Sequence, residues 1–299
     1  MIGDQGGAPG SGSARPAASR GDVPPQQVSN PRRDAAIGGV AGLAGGLLGL
    51  GGGFVLVPLQ VFWAKRDQHR AIGTSLAAIL PIAIVAGATY YFGSSSPQAD
   101  LGVAFFLAVG GVLGAVVGSL ASQRVPDRAL KVIVAILLFG AGLKELYDVL
   151  LGTAPHLIGT AATFEAGDYA LMVAGGFLIG VISGLTGVGG GILVVPLLAL
   201  GFGIGQRVAQ GTSLIAMLPT AAIGALTHHR NGDVDVRAAS WMAVVGVPAA
   251  LIGSALALWL PARALGGIFG VFMLIAATRM WPWRAKARAG AGPSDEPRA

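Results

Sequence analysis

Long apolar runs broken by short charged stretches dominate the chain. Uncharged runs occupy 35–64, 71–99, 101–123, 169–206, 208–229 and 238–262, and each is long enough to cross or deeply enter a hydrocarbon layer about 30 Å thick. Two weaker segments, 126–150 and 261–282, are bracketed by Lys131, Lys144, Arg263 and Arg279, whose long side chains can reach the interface. The pattern predicts an all-α polytopic membrane protein of eight hydrophobic segments. Trp281, Trp283, Tyr90 and Tyr91 fit an interfacial aromatic belt. Residues 1–34 and 284–299 are rich in Gly, Pro, Ser and charge and read as disordered tails; with no apolar stretch before Ala35, the first resembles a solvated tail more than a cleaved signal.

The segments repeat. Displacing the chain by 138 positions lays Gly49, Gly51, Gly52, Gly53, Val57, Pro58 and Leu59 on Gly187, Gly189, Gly190, Gly191, Val195, Pro196 and Leu197. The same displacement lays Gly73, Thr74, Ser75, Leu76 and Pro81 on Gly211, Thr212, Ser213, Leu214 and Pro219. After a small deletion, Gly118, Ser119 and Pro126 meet Gly253, Ser254 and Pro261. The organisation predicted is a tail at 1–34, a membrane repeat at 35–150, a linker at 151–167, a second repeat at 168–283 and a tail at 284–299.

Charge then selects a topology. If all eight segments cross and the N-terminus is cytoplasmic, the 20 Lys and Arg divide into 12 inside and 8 outside, against the positive-inside rule. If the first segment of each repeat instead enters, breaks at its glycines and returns, only Lys144, Arg207 and Arg263 lie outside. Three full spans per repeat is an odd number, so the second repeat enters from the opposite side. The expectation is an inverted-repeat arrangement in the inner membrane with both termini cytoplasmic.

Composition agrees with a membrane setting and excludes other classes. The chain is 53% apolar and 11% charged, with mean hydropathy +0.69, so it lacks the charged coat of a soluble domain. Its net charge of +6 flanks apolar segments without forming a patch with interleaved aromatics, which argues against nucleic-acid binding. Cysteine is absent and the four His show no ligand spacing, so no metal or cofactor is expected. No nucleophile or acid/base set converges at membrane depth, so the chain does not read as an enzyme.

The chemistry is expected at the breaks. Gly51, Gly52, Gly53 and Gly189, Gly190, Gly191 place free backbone at membrane depth, tolerated only where protein or a watery cavity satisfies it. An apolar half-helix follows each break, so its N–H groups and positive dipole end could hold an anion. Thr74, Ser75, Thr212 and Ser213 can donate to oxyanion oxygens or back-bond to a helix turn. Pro58, Pro196, Gly73 and Gly211 complete the motif, and Arg70 and Arg207 could attract an anion at the mouths or simply snorkel. His228, His229, Arg230, Asp233 and Asp235 read as a solvated loop, with gating or proton coupling as the alternative. The strongest spans lack acidic and basic residues, favouring an uncoupled or weakly coupled permease. Gly110, Gly114, Gly118 and Gly176, Gly180, Gly184 read as packing faces.

The repeated Gly-Gly-Gly-x-[Leu/Val]-x-Val-Pro motif at Gly51 to Pro58 and Gly189 to Pro196, each followed by Gly-Thr-Ser, resembles the TauE/SafE (sulfite exporter, TSUP) family over residues 35 to 282. The N-terminal tail lies outside the family pattern. The resemblance implies a permease for sulfite, a sulfonate or another small anion, working in a lipid bilayer; an anion channel or a permease for an organic carboxylate is the alternative. Assembly into a homo-oligomer is compatible with either.

Overall fold

A computed structural model describes residues 29–121, 127–152, 164–186 and 190–280. The expected tails apart from 29–34, most of the linker, His156, Trp281, Trp283, Gly187 and Gly189 therefore lie outside the described residues.

Among these residues the fold is all-helical, with ten α-helices. Asn30 starts α1 (Pro31–Leu48): its side chain accepts from the Arg33 N–H, and Pro31 stands at a first-turn position that has no N–H to satisfy. The helix thus begins ahead of the uncharged run, and Asp34 falls inside it. Gly49, Gly51 and Gly52 adopt positive φ of 72°, 63° and 81°, a conformation side chains resist, and the chain reverses into α2 (Gly53–Phe62). It returns far enough for Arg66 to meet Asp34 at 2.9 Å. Next come α3 (Gln68–Phe92), α4 (Leu101–Ala121) and α5 (Asp127–Leu151).

The second half follows a matching order: α6 (Ala166–Thr186), the short α7 (Gly191–Pro196) with a π-helical turn over Leu197–Gly201, then α8 (Gln206–Arg230), α9 (Val236–Trp259) and α10 (Ala262–Met280). The π turn directly follows Pro196, which cannot donate into the helical ladder. Among the described residues six helices are long and apolar enough to cross a membrane, and Gly53–Phe62 and Gly191–Gly201 are shorter apolar helices.

The helices of the two halves interleave. α1 packs on α9, α4 on α6, α5 on α10, and α3 and α8 on each other. Glycines make two of these contacts possible. A Cβ on Gly38, Gly42 or Gly46 would strike the α9 backbone at Met242, Gly246 or Ala250, and one on Gly110, Gly114 or Gly118 would strike the α6 backbone at Val173, Phe177 or Val181. Such close approach is how membrane helices gain packing energy without a hydrophobic driving force between them. One apolar core, including Ile37, Leu56, Ile82 and Met242, lies around α1, α2, α3 and α9. The other, including Met172, Leu198, Val208 and Phe269, lies around α6, α7, α8 and α10.

Two expectations are corrected. Tyr90 is not interfacial: it is fully buried, its hydroxyl 3.0 Å from the Gly46 carbonyl and 2.9 Å from Gln210 Oε1. His228, His229 and Arg230 are the last turn of α8 rather than loop, because His and Arg suit the C-terminal turn of a helix; Asn231 and Gly232, the latter at φ 78°, end it.

Candidate functional site

The two glycine turns touch. A Cβ on Gly191 would lie 3.1 Å from the Leu50 carbonyl oxygen, and one on Gly51 would lie 2.8 Å from the Met217 side chain. Gly52 leans on α1, where a Cβ would come 2.7 Å from the Ala41 carbonyl oxygen. Gly53 is buried at the start of α2, and Pro58 and Pro196 lie inside α2 and at the end of α7.

The Thr-Ser pairs sit in the second turns of α3 and α8, all four fully buried or nearly so. Thr74 Oγ1 accepts from the Asp235 N–H at 3.0 Å, and Thr212 Oγ1 from the Asp100 N–H at 2.9 Å. Ser75 Oγ accepts from Gln60 Nε2 at 2.6 Å. Ser213 Oγ lies 3.5 Å from the Gly191 carbonyl, the far edge of hydrogen-bond reach. These hydroxyls therefore tie helices together across the fold and do not back-bond within their own helix. Gly73 and Gly211 permit close packing: a Cβ on Gly73 would come 2.8 Å from the His228 Cβ, and one on Gly211 would strike the Gln98 carbonyl oxygen and come 2.8 Å from the Tyr90 Cβ. Arg70 is exposed at the start of α3, and Arg207 donates to the Leu260 carbonyl.

A cavity of about 170 Å³ lies between α3, α4, α6 and α8. It runs along α8 from Met217 to His228, with Ser183 and Gly184 of α6 at its deep end and Ile72 of α3 near its outer end. A smaller cavity of about 30 Å³ shares Ser183, Met217 and Thr220 with it and continues to Gly190. Of the glycines and hydroxyls expected to bind the solute, Gly190 alone lines either space, whereas Gly184 and the pair Gly176 and Gly180, expected only to pack, line the larger and the smaller cavity. The lining is mostly apolar, with Ser183, Thr220, Thr227 and His228 as its polar side chains, the balance usual in small-solute sites. Ser183 and Thr220 carried no motif and were missed; only their place on helix faces opposite α4 could have marked them.

The face holding His228 also carries a buried ion network. Arg66 bonds Asp34 at 2.9 Å and Gln60 Oε1 at 3.2 Å, and stands 3.6 Å from Asp235. Gln60 continues it to Ser75 and to the Ala71 carbonyl. At the opposite face the displacement of 138 replaces Asp34, Gln60 and Arg66 by Met172, Leu198 and Ile204, all buried and apolar. Tyr90 and Gln210 there stand where the cavity has His228 and Ile72. Among the described residues no three His, Asp or Glu side chains group as metal ligands would.

Comparison with known proteins follows the same outline. The model of the family described as "Sulfite exporter TauE/SafE" matches residues 10–145 and 172–299, so the match takes in part of the N-terminal stretch expected outside the family pattern. The Bacillus subtilis (strain 168) "Probable membrane transporter protein YunE" is 29% identical over 239 residues, covering 74% of this chain and 84% of that protein. A "Probable membrane transporter protein" of Xylella fastidiosa (strain 9a5c) is 30% identical over 253 residues, covering 84% of this chain and 94% of the relative. No solved structure matches the chain.

Proposed function

We propose, for a chain that belongs to the TauE/SafE family of membrane transporters, that it carries a small anion, a sulfur oxyanion such as sulfite or a sulfonate, by alternating access around its two glycine breaks. It is a multi-pass membrane protein and a transporter, not an enzyme. The observation that carries the finer reading is the cavity leading from the Gly190 turn to one face.

Each break is read as the tip of a re-entrant hairpin in an inverted repeat. The ten residues of α2 rise about 15 Å, half of a bilayer core. The Asp34–Arg66 pair supports a return of the chain to its starting face, and α6 lies beside the π turn through Gly175 and Leu197. The exchange of partners, α1 with α9 and α6 with α4, is what two halves related by a twofold axis in the membrane plane require. Arg207 at Leu260 and Arg263 near Gly152 lie at the end opposite Arg66 and Arg230, in keeping with an inner-membrane orientation that places both termini in the cytoplasm.

In this reading the cytoplasmic half of the path is open and the opposite half is closed. Tyr90, bonded to Gly46 and Gln210, fills the counterpart of the open cavity. The anion is held by main-chain N–H groups at the tips, Gly51 to Gly53 and Gly190 and Gly191, where two helix dipoles converge in a medium of low dielectric. Thr74, Ser75 and Thr212 are held by Asp235, Gln60 and Asp100, and Ser213 by the Gly191 tip; all four become available to the solute when the helices part.

The test is uptake of radiolabelled sulfite, thiosulfate, sulfoacetate and lactate by the purified protein in liposomes. Saturable uptake of one or more sulfur anions is expected; unitary currents would indicate a channel, and uptake of lactate alone would indicate a carboxylate carrier.

A further inference from the structure

Among the side chains lining the 170 Å³ cavity, His228 is the one that can change charge. Its Nδ1 lies 3.5 Å from a carboxylate oxygen of Asp233, in the turn after α8, and makes no hydrogen bond. Gly73 of α3 packs directly against His228, and the residues that line the cavity with it on the neighbouring helices are uncharged: Ile72 of α3, Val116 of α4, and Ser183 and Gly184 of α6. Asp235, at the start of α9, is turned toward Arg66, and the neighbours His229 and Arg230 are exposed.

We propose that His228 sets the charge of this cavity, so that an anion enters it together with a proton carried on the imidazole. The inference rests on the anion-carrier reading above and adds the coupling ion. Imidazole is the side chain that exchanges a proton between about pH 5 and 8. With the ring neutral, the pair contributes the Asp233 negative charge at the cavity's edge, which repels an anion across walls that are mostly apolar. With the ring protonated, the pair is neutral and the imidazolium offers a second N–H donor. The proton and the anion then share the cavity, and both leave when the solute does. The absence of acidic residues from the strongest spans, which pointed to an uncoupled permease, leaves this role to a histidine at the cavity's end.

The experiment uses the full-length protein in liposomes and radiolabelled sulfoacetate, whose charge is constant over the range; sulfite itself takes up a proton there. Wild-type uptake is expected to fall roughly tenfold from about pH 6 to about pH 8. His228→Gln should be slow at both values and lose the pH dependence. Asp233→Asn, which removes the repelling charge from a partly exposed turn, should raise uptake at the higher pH, and adding it to His228→Gln should restore flux. A merely structural histidine would not be rescued in this way. A wild-type pH profile in His228→Gln, or no rescue in the double variant, overturns the inference while leaving an anion carrier in place. If wild-type protein moves none of the four anions at either pH, the carrier reading fails and takes the inference with it.

Discussion

Thr212 accepts a hydrogen bond from the backbone N–H of Asp100 at 2.9 Å, across 112 residues of chain, and Thr74 does the same for Asp235 across 161. Each aspartate in turn receives the N–H three residues on, Val103 or Ala238, and so caps the helix it starts. The Gly-Thr-Ser motif of each half thus fixes where a helix of the other half begins. Thr74→Val and Thr212→Val should each cost about 1 kcal/mol and lower the melting midpoint in detergent, whereas the serine variants should keep most of the stability. Unchanged midpoints for both valine variants would show the contacts to be incidental.

Arg66 and Asp34 are both buried, so breaking the pair one-sidedly strands a charge. Arg66→Met should lose about 3–5 kcal/mol, and Asp34→Asn added to it should recover a good part of that loss. A double-mutant cycle on thermal unfolding measures the coupling, and simple additivity would contradict it.

A chain without cysteine makes accessibility easy to read. Thr220→Cys, on the wall shared by the two cavities, should react with a membrane-impermeant maleimide from the side that labels Arg230→Cys and not from the side that labels Gln98→Cys. Tyr90→Phe, which removes the hydroxyl at Gly46 and Gln210, should increase labelling from the second side. Equal labelling of Thr220→Cys from both sides, with Tyr90 intact, would contradict a one-sided cavity.

Glycine positions separate packing from solute contact. Gly114→Leu would drive a side chain into the Phe177 backbone and should abolish stable insertion. Gly140→Ala, which meets nothing within 4 Å, should be neutral or slightly stabilising. Gly190→Val, whose Cβ would press on Ile179 Cγ2 but meet no backbone atom closer than 3.8 Å, should still insert and lose flux.

Local pattern alone marks the glycine breaks, the spans on either side, and the Gly-x-x-x-Gly faces at Gly110, Gly114 and Gly176, Gly180, which do face each other. Pairings across distance leave no such mark. Nothing in the spacing of Asp34 and Arg66 shows that a hairpin brings them together, because each is an edge charge taken alone. Gln60 looks like a lone polar residue in an apolar run, and only the return of α2 past α3 gives it Ser75 as a partner. Tyr90 sits near the end of its run, where an aromatic belt is the ordinary reading; its partners Gly46 and Gln210 lie 44 and 120 residues away and only the folded chain supplies them. His228 reads as loop from the amino acids alone, since hydropathy falls before helicity does. The cavity has no signature in the chain, as its lining comes from four helices and no motif.

The glycine seams also govern how the protein must be made. α1 finishes its packing only against α9, and α4 only against α6, so when synthesis has reached the end of α5 the nascent chain still has two helix faces grooved for partners not yet translated. Those first helices must wait in the bilayer, or beside the insertion machinery, until Val236 and the rest of α9 have emerged. A message truncated between the halves would leave an inserted orphan for membrane proteases to clear.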